Sequence, residues 1–526
     1  MKISKFNFYH LFFVLLLLIV PYFLLLNSLP LYGDSTIHGK ILYDILNKGV
    51  SFTDSIYPLT YFLFGAGFEL LTGYSGIKIM VFLGLFLIGL FSYLVLKNVF
   101  GVKNHLLNLS AIFYVLYSPK LMFYVSRMYM EIFLSGITLG SIYFFFQLIN
   151  KKTKKNIILF FLLSFLLITT KQQGVIVLFV FFLSFLIFNK KILLDKFFLF
   201  CFSVLLLLSS IAYLDLVKRT GQLIVGNEIT TPINNFVSNL VGYQKKSDGN
   251  FKELDYLTEE INSRGHITAE KRHIWPIDVF TNFDKSNSVI SLYKKTVAGI
   301  TFFGDSYILF WFLIIVGFFD SYKNNKKIFF FSSLLLTINV LTFFRGNDQE
   351  RYYLYLAIYF SFFMFFYLKK LFNAKQKSIF SIVFIFVIFF KNLTFYSYAK
   401  EFDQAISYRT FEGGIYEMIK ASQWIEKNST NKDKIIALSS NEWEFYSRRS
   451  TANDDRLYFE KNIDIINNYF LDKKIKYVVF PKNLIVNENE WNQFGNYTEH
   501  FYNLISKNYN LVYKNAFKNI EIYQVN

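Results

Sequence analysis

Apolar residues in this chain run in stretches of 15 to 20 rather than as stripes along amphipathic helices; residues 11–26 read Leu-Phe-Phe-Val-Leu-Leu-Leu-Leu-Ile-Val-Pro-Tyr-Phe-Leu-Leu-Leu without one charge. A helix apolar all round has no face to offer water, and about 20 such residues match the hydrocarbon thickness of a bilayer. The stretches recur at 6–29, 76–96, 105–124, 128–149, 156–170, 174–189, 197–216, 301–319, 327–344, 352–368 and 378–396. They predict an α-helical polytopic membrane protein with about 11 transmembrane helices. Charged residues make up only 17% of the 526 positions and Phe alone supplies 67, which excludes an ordinary soluble enzyme and a disordered chain alike. The first stretch resembles a signal peptide, but its apolar core is longer than usual and no small-residue cleavage site follows Leu29-Pro30, so it is read as a retained anchor.

A net charge of +18 would suggest nucleic acid in a soluble protein, but its location argues otherwise. From Lys400 to Asn526 there are 17 basic and 17 acidic residues, so the excess belongs to the apolar portion. There it gathers in alternate loops: Lys97 and Lys103; Lys151, Lys152, Lys154 and Lys155; Lys190, Lys191 and Lys196; Lys323, Lys326 and Lys327; Lys369, Lys370, Lys375 and Lys377. All fall on one side if the N-terminus, with Lys2 and Lys5, is cytoplasmic, and an odd number of spans then puts the C-terminus outside. The single cysteine, Cys201, excludes a disulfide framework and a Cys-based metal site.

The long, chemically mixed segments share the outward side: loops 30–75 and 217–300, the turn from Arg345 to Arg351, and the tail. Residues 1–399 are expected to form the membrane module. Residues 400–526, with a helical pattern over Ile415 to Asn428 and strand-like runs at Lys434 to Leu438, Ile475 to Phe480 and Ile520 to Gln524, are expected to form a soluble extracytoplasmic α/β domain.

Several outward residues can carry chemistry. Leu31-Tyr-Gly-Asp-Ser-Thr-Ile-His38 puts the Asp34 carboxylate just past the first span, where it can serve as a general base or ligate a divalent cation; a solvated loop aspartate is the plainer alternative. His38 shares a face with Asp34 if the segment is helical. Glu131 opens an otherwise apolar span, which is costly unless the carboxylate meets a cavity or a partner such as Arg127. Lys171, in Ile168-Thr-Thr-Lys-Gln-Gln-Gly174 between two spans, suits a phosphate, or else snorkels. Arg345 and Arg351 bring two guanidiniums to one short turn, with Tyr352, Tyr353 and Tyr355 able to stack on a sugar or to form an interfacial belt. His266, His273, Trp275 and Asp278 have no metal-ligand spacing and are left as candidate acceptor contacts; nucleotide, zincin and serine-hydrolase motifs are absent.

Gly33-Asp34-Ser35 after the first span, Tyr57-Pro58-Leu59-Thr60-Tyr61, Ser118-Pro119 followed by Glu131, Thr170-Lys171, and Glu350-Arg351-Tyr352-Tyr353 together resemble the GT-C superfamily of membrane glycosyltransferases. The branch is that allied to protein O-mannosyltransferases and the lipid A aminoarabinose transferase, and the resemblance covers roughly residues 6–400. It implies transfer of a sugar, with inversion, from a polyprenyl-phosphate-linked donor to an envelope lipid, glycan or protein acceptor at the outer face of the cell membrane. Asp34 would then be the general base, and Glu131 an acceptor-orienting group or metal ligand. Lys171, Arg345 and Arg351 would bind the donor phosphate, with His38, Tyr57 and Tyr352 as substrate contacts. A divalent cation, magnesium or manganese held by Asp34 and Glu131, is left open.

Three other readings compete. A polymerase or ligase for lipid-linked polysaccharide would lean on outer-loop arginines and tolerate loss of Asp34. A transporter or flippase would show interior charges, Gly/Pro-broken span pairs or repeated halves, which are scarce here. A scaffold would need its outer domain and be indifferent to Asp34→Asn.

Overall fold

The computed structural model describes residues 8–31, 34–50, 57–171, 173–220, 251–258, 308–343, 354–388, 414–438, 440–491 and 496–525. The chain divides into two compact units. One is helical and comprises Met1–Leu29, Ile41–Gln244 and Ile274–Ser397; the other is α/β and comprises Pro30–Lys40, Lys245–His273 and Tyr398–Asn526.

In chain order the helices of the apolar portion are α1 (Phe8–Ser28), α2 (Asp34–Lys48), α3 (Thr60–Thr72), α4 (Gly76–Asn98), α5 (His105–Leu116), α6 (Pro119–Ser126), α7 (Glu131–Asn150), α8 (Lys154–Thr170), α9 (Gln173–Leu193), α10 (Lys196–Thr220), α11 (Ile308–Asn324), α12 (Lys326–Phe343) and α13 (Leu354–Leu371). A further helix, α14, covers residues 374–388. Helix is found at each of the eleven expected spans. Among the described residues α4, α7, α9, α10 and α13 are each long and apolar enough to cross a membrane.

The stretch 105–124, expected as one span, is two helices. Pro119 disfavours helical backbone at Ser118, which instead caps α6 by accepting from the Leu121 amide at 3.3 Å, with the proline at the first helical position. In lipid, helices gain little from hiding apolar surface from one another, so close packing decides which ones pair. α4 and α7 cross where a Cβ at Gly84 would lie 2.7 Å from the Phe133 nitrogen and one at Gly136 would lie 2.9 Å from the Gly84 carbonyl oxygen. Farther along α7 phenylalanines interlock with α9 and α12; Phe145 meets Phe331 at 5.0 Å and Phe181 at 5.2 Å between ring centroids. Tyr355, expected at a sugar or in an interfacial belt, is instead buried, with its hydroxyl donating to Asn339 Oδ1 of α12.

The α/β unit follows with α15 (Gly414–Lys427), β1 (Lys434–Ile436), α16 (Ser440–Ser447), α17 (Ile463–Lys473), β2 (Ile475–Pro481), β3 (Ile485–Val486), β4 (Tyr497–Thr498), α18 (Glu499–Asn508), β5 (Asn510–Lys514) and β6 (Ile520–Gln524). Its main sheet has the order β1-β2-β6-β5, with β1 parallel to β2 and the other pairs antiparallel; β3 and β4 form a separate parallel pair. Alternation along β2 divides the core. Tyr477 and Val479 join Ile415, Met418, Ile425 and Trp443 on one face, while Val478 and Phe480 join Ile466, Phe470, Phe501 and Ile505 on the other. Both faces are therefore covered by helices, as hydrophobic runs such as Tyr-Val-Val-Phe demand.

Candidate functional site

Glu131 is the first residue of α7, where a carboxylate meets the positive end of the helix dipole. The preceding turn reverses the chain through Met128, which has a φ of 53° in the left-handed region. Close packing of α4 on α7 through the two glycines fixes where this helix begins.

Lys171 lies just past the last residue of α8, with extended backbone at φ −155° and ψ 146°. The turn into α9 is short because Gly174 donates its amide to the Lys171 carbonyl at 2.9 Å, and a Cβ at Gly174 would fall 2.1 Å from the Leu167 carbonyl oxygen. Only glycine permits that approach. Tyr213 of α10 satisfies the buried last turn of α8 by donating to the Ile168 carbonyl at 2.9 Å.

These elements bring Glu131, Lys171 and Tyr57 together. The Lys171 ammonium donates to Glu131 Oε1 and sits over the Tyr57 ring, 5.3 Å from its centroid. Glu131 is 3% exposed and Lys171 6%, so the pair is withdrawn from water and neither charge snorkels. Tyr57 is half-buried, and Tyr61, the second residue of α3, packs its ring on Phe133 at 5.6 Å. Arg127 lies over the Phe123 ring at 5.2 Å. The arrangement offers an ammonium, a carboxylate and an aromatic face in one apolar setting.

Asp34 and His38 belong to the α/β unit. The segment expected as a loop is the start of a helix: Asp34, half-buried, is the first residue of α2, and His38 follows one turn later, buried with Ser35 and Thr36. The segment is held by α16. Tyr446 donates its hydroxyl to the Leu31 carbonyl at 2.5 Å, Lys40 pairs with Glu444 Oε2, and a Cβ at Gly39 would lie 2.7 Å from the Phe445 ring. Glu444 Oε1 is in turn fixed by the Thr451 amide and hydroxyl, each at 2.7 Å. Sequence reasoning missed Lys40, Glu444 and Tyr446, since partners 404 and 415 positions apart leave no local signal.

Arg345, Arg351 and Tyr352 lie outside the described residues, as do His266, His273, Trp275 and Asp278. Among the described residues no group of three or more His, Cys, Asp or Glu side chains could hold a metal ion.

No family model and no curated protein matches the sequence. Solved structures do match. ArnT from Cupriavidus metallidurans in the apo state is similar with a TM-score of 0.57 and 12% identity, over 98% of this chain and 97% of that one. The same protein bound to undecaprenyl phosphate gives a TM-score of 0.55 and 10% identity, over 97% and 96%. The Archaeoglobus fulgidus oligosaccharyltransferase, in complex with Zn and sulfate, gives 0.54 and 12%, over 89% of this chain and 67% of that one. These proteins are GT-C superfamily members, and the chain is a helical polytopic membrane protein with the GT-C fold.

Proposed function

We propose that the chain is a glycosyltransferase that moves a sugar from a polyprenyl-phosphate-linked donor to a lipid, glycan or protein acceptor at the outer face of the membrane, with inversion at the transferred carbon. The observation that carries this reading is the buried Lys171–Glu131 pair, in a fold that matches, over almost its whole length, a protein bound to undecaprenyl phosphate. A cation held at the membrane edge suits a lipid-linked monoester, whose charged head must leave water while its tail stays in hydrocarbon.

In this mechanism the acceptor oxygen forms a bond to the anomeric carbon as the bond from that carbon to the phosphate oxygen breaks. The phosphate departs with the electron pair, and the acceptor proton passes to the Asp34 carboxylate. Lys171, with Arg345 and Arg351, neutralises the charge that grows on the phosphate. Glu131 holds the Lys171 ammonium in place before the donor arrives and orients the acceptor afterwards; His38, Tyr57 and Tyr352 contact substrate. The N-terminus is cytoplasmic and the α/β domain extracytoplasmic.

The test compares membrane glycolipids, surface glycans and glycoproteins by mass spectrometry in a deletion strain complemented with wild type or with Asp34→Asn at equal expression. A sugar-sized mass lost on deletion, restored by wild type and not by Asp34→Asn, is expected. Full complementation by Asp34→Asn would remove the general base and favour a polymerase, ligase or transporter.

A further inference from the structure

We infer that α16 is a clasp that positions the Asp34 segment, with Glu444 and Tyr446 acting as positioning residues for the proton transfer assigned to Asp34. The inference rests on that assignment. Tyr446 fastens the segment three residues before Asp34, at the Leu31 carbonyl, and Glu444 fastens it six residues after, at the Lys40 ammonium. Phe445 fills the space against Gly39 so closely that any side chain there would meet its ring. Three consecutive residues of one helix therefore fix both ends of the stretch. Thr451 locks the clasp itself by donating twice to Glu444 Oε1, leaving Oε2 for Lys40.

Such a device costs little stability to lose and much rate. Lys40 is 30% exposed and Glu444 11%, and an ion pair so placed contributes modestly to folding. Displacement of a reacting carboxylate by about 1 Å, by contrast, can lower turnover about a hundredfold. The α/β unit thus sets the position of a carboxylate encoded near the other end of the chain.

The experiment uses the full chain in a Cys201→Ser background, with Ile37→Cys on the exposed side of α2 carrying a nitroxide label. Glu444→Gln keeps the oxygen that Thr451 needs but turns away Lys40, and Tyr446→Phe removes the hydroxyl alone. Expected are a mobile spectral component in both variants and an about tenfold to hundredfold fall in the sugar mass in complemented cells at unchanged thermal stability. An unchanged spectrum in both single variants overturns the clasp. A loosened spectrum with wild-type sugar mass, where Asp34→Asn abolishes that mass, overturns the positioning role. If Asp34→Asn itself retains the mass, the transferase reading is what fails, and the spectra alone then decide the clasp.

Discussion

The Lys171 ammonium reaches across 40 positions of sequence to donate to Glu131 Oε1, joining the end of α8 to the start of α7. Two charges held out of water between apolar helices repay their desolvation only while each has the other. Under the proposed function, an anionic donor at Lys171 has to compete with a carboxylate already in place, so Glu131 would tune how readily Lys171 is surrendered to phosphate.

Breaking that pair on one side should be far more damaging than removing both charges. Lys171→Met strands a buried carboxylate and is expected to cost roughly 3–5 kcal/mol, whereas Lys171→Met combined with Glu131→Gln should recover most of the loss while still failing to use donor. Thermal unfolding of the detergent-solubilised chain measures the coupling. Simple additivity of the two single variants would show that the charges do not depend on each other.

Arg449 makes a second prediction, in the α/β unit. Its guanidinium, buried and without a carboxylate in its set, donates to the carbonyls of Glu426 at 2.8 Å, Ser429 at 2.7 Å and Arg448 at 3.0 Å, to Ser429 Oγ at 2.7 Å and to Asn431 Oδ1 at 3.0 Å. It thereby closes the open end of α15. An ammonium cannot reproduce this fork, so Arg449→Lys is expected to cost about 2–4 kcal/mol and to speed amide exchange in α15. A loss below about 0.5 kcal/mol would mean the carbonyls find other donors.

A third prediction concerns acid. Burial pushes the Glu521 carboxyl up, but Lys514, Lys482, Tyr502 and Tyr523 all donate to it and together hold it at about 2. Because the folded value lies below the ordinary one near 4.3, this contribution to stability is complete above about pH 4.5 and drains away as pH falls toward 2. Glu521→Gln should flatten the stability of the full chain between those limits. An equally steep acid transition in the variant would assign it to other carboxylates.

Hydropathy made the helical spans legible because a bilayer leaves a chain few choices, and the signal at Glu131 was legible because a charge there is costly. What could not be read was the partner. Arg127 is the neighbour one turn away in sequence, whereas the ammonium that pairs with Glu131 arrives through the packing of α7, α8 and α9. The break at Ser118-Pro119 was present in the sequence but hidden by the apolar residues on either side. In the α/β unit, β2 and β6 announce themselves by apolar content, whereas β5, with Asn510, Tyr513 and Lys514, is an exposed edge strand whose identity comes from pairing with β6.

The union of Lys40 with Glu444 also sets an order of events in biosynthesis. Lys40 in α2 is among the first residues made, yet its partner in α16 follows 404 residues later. At about 5–20 residues per second, the ribosome takes on the order of 20–80 s to cover that distance. Throughout this interval the N-terminal stretch waits without its clasp while helix after helix is inserted behind it. Maturation of this enzyme candidate is therefore a closing of the chain upon its own beginning, and a nascent polypeptide stalled before residue 440 would carry its spans but leave the Asp34 stretch unfastened.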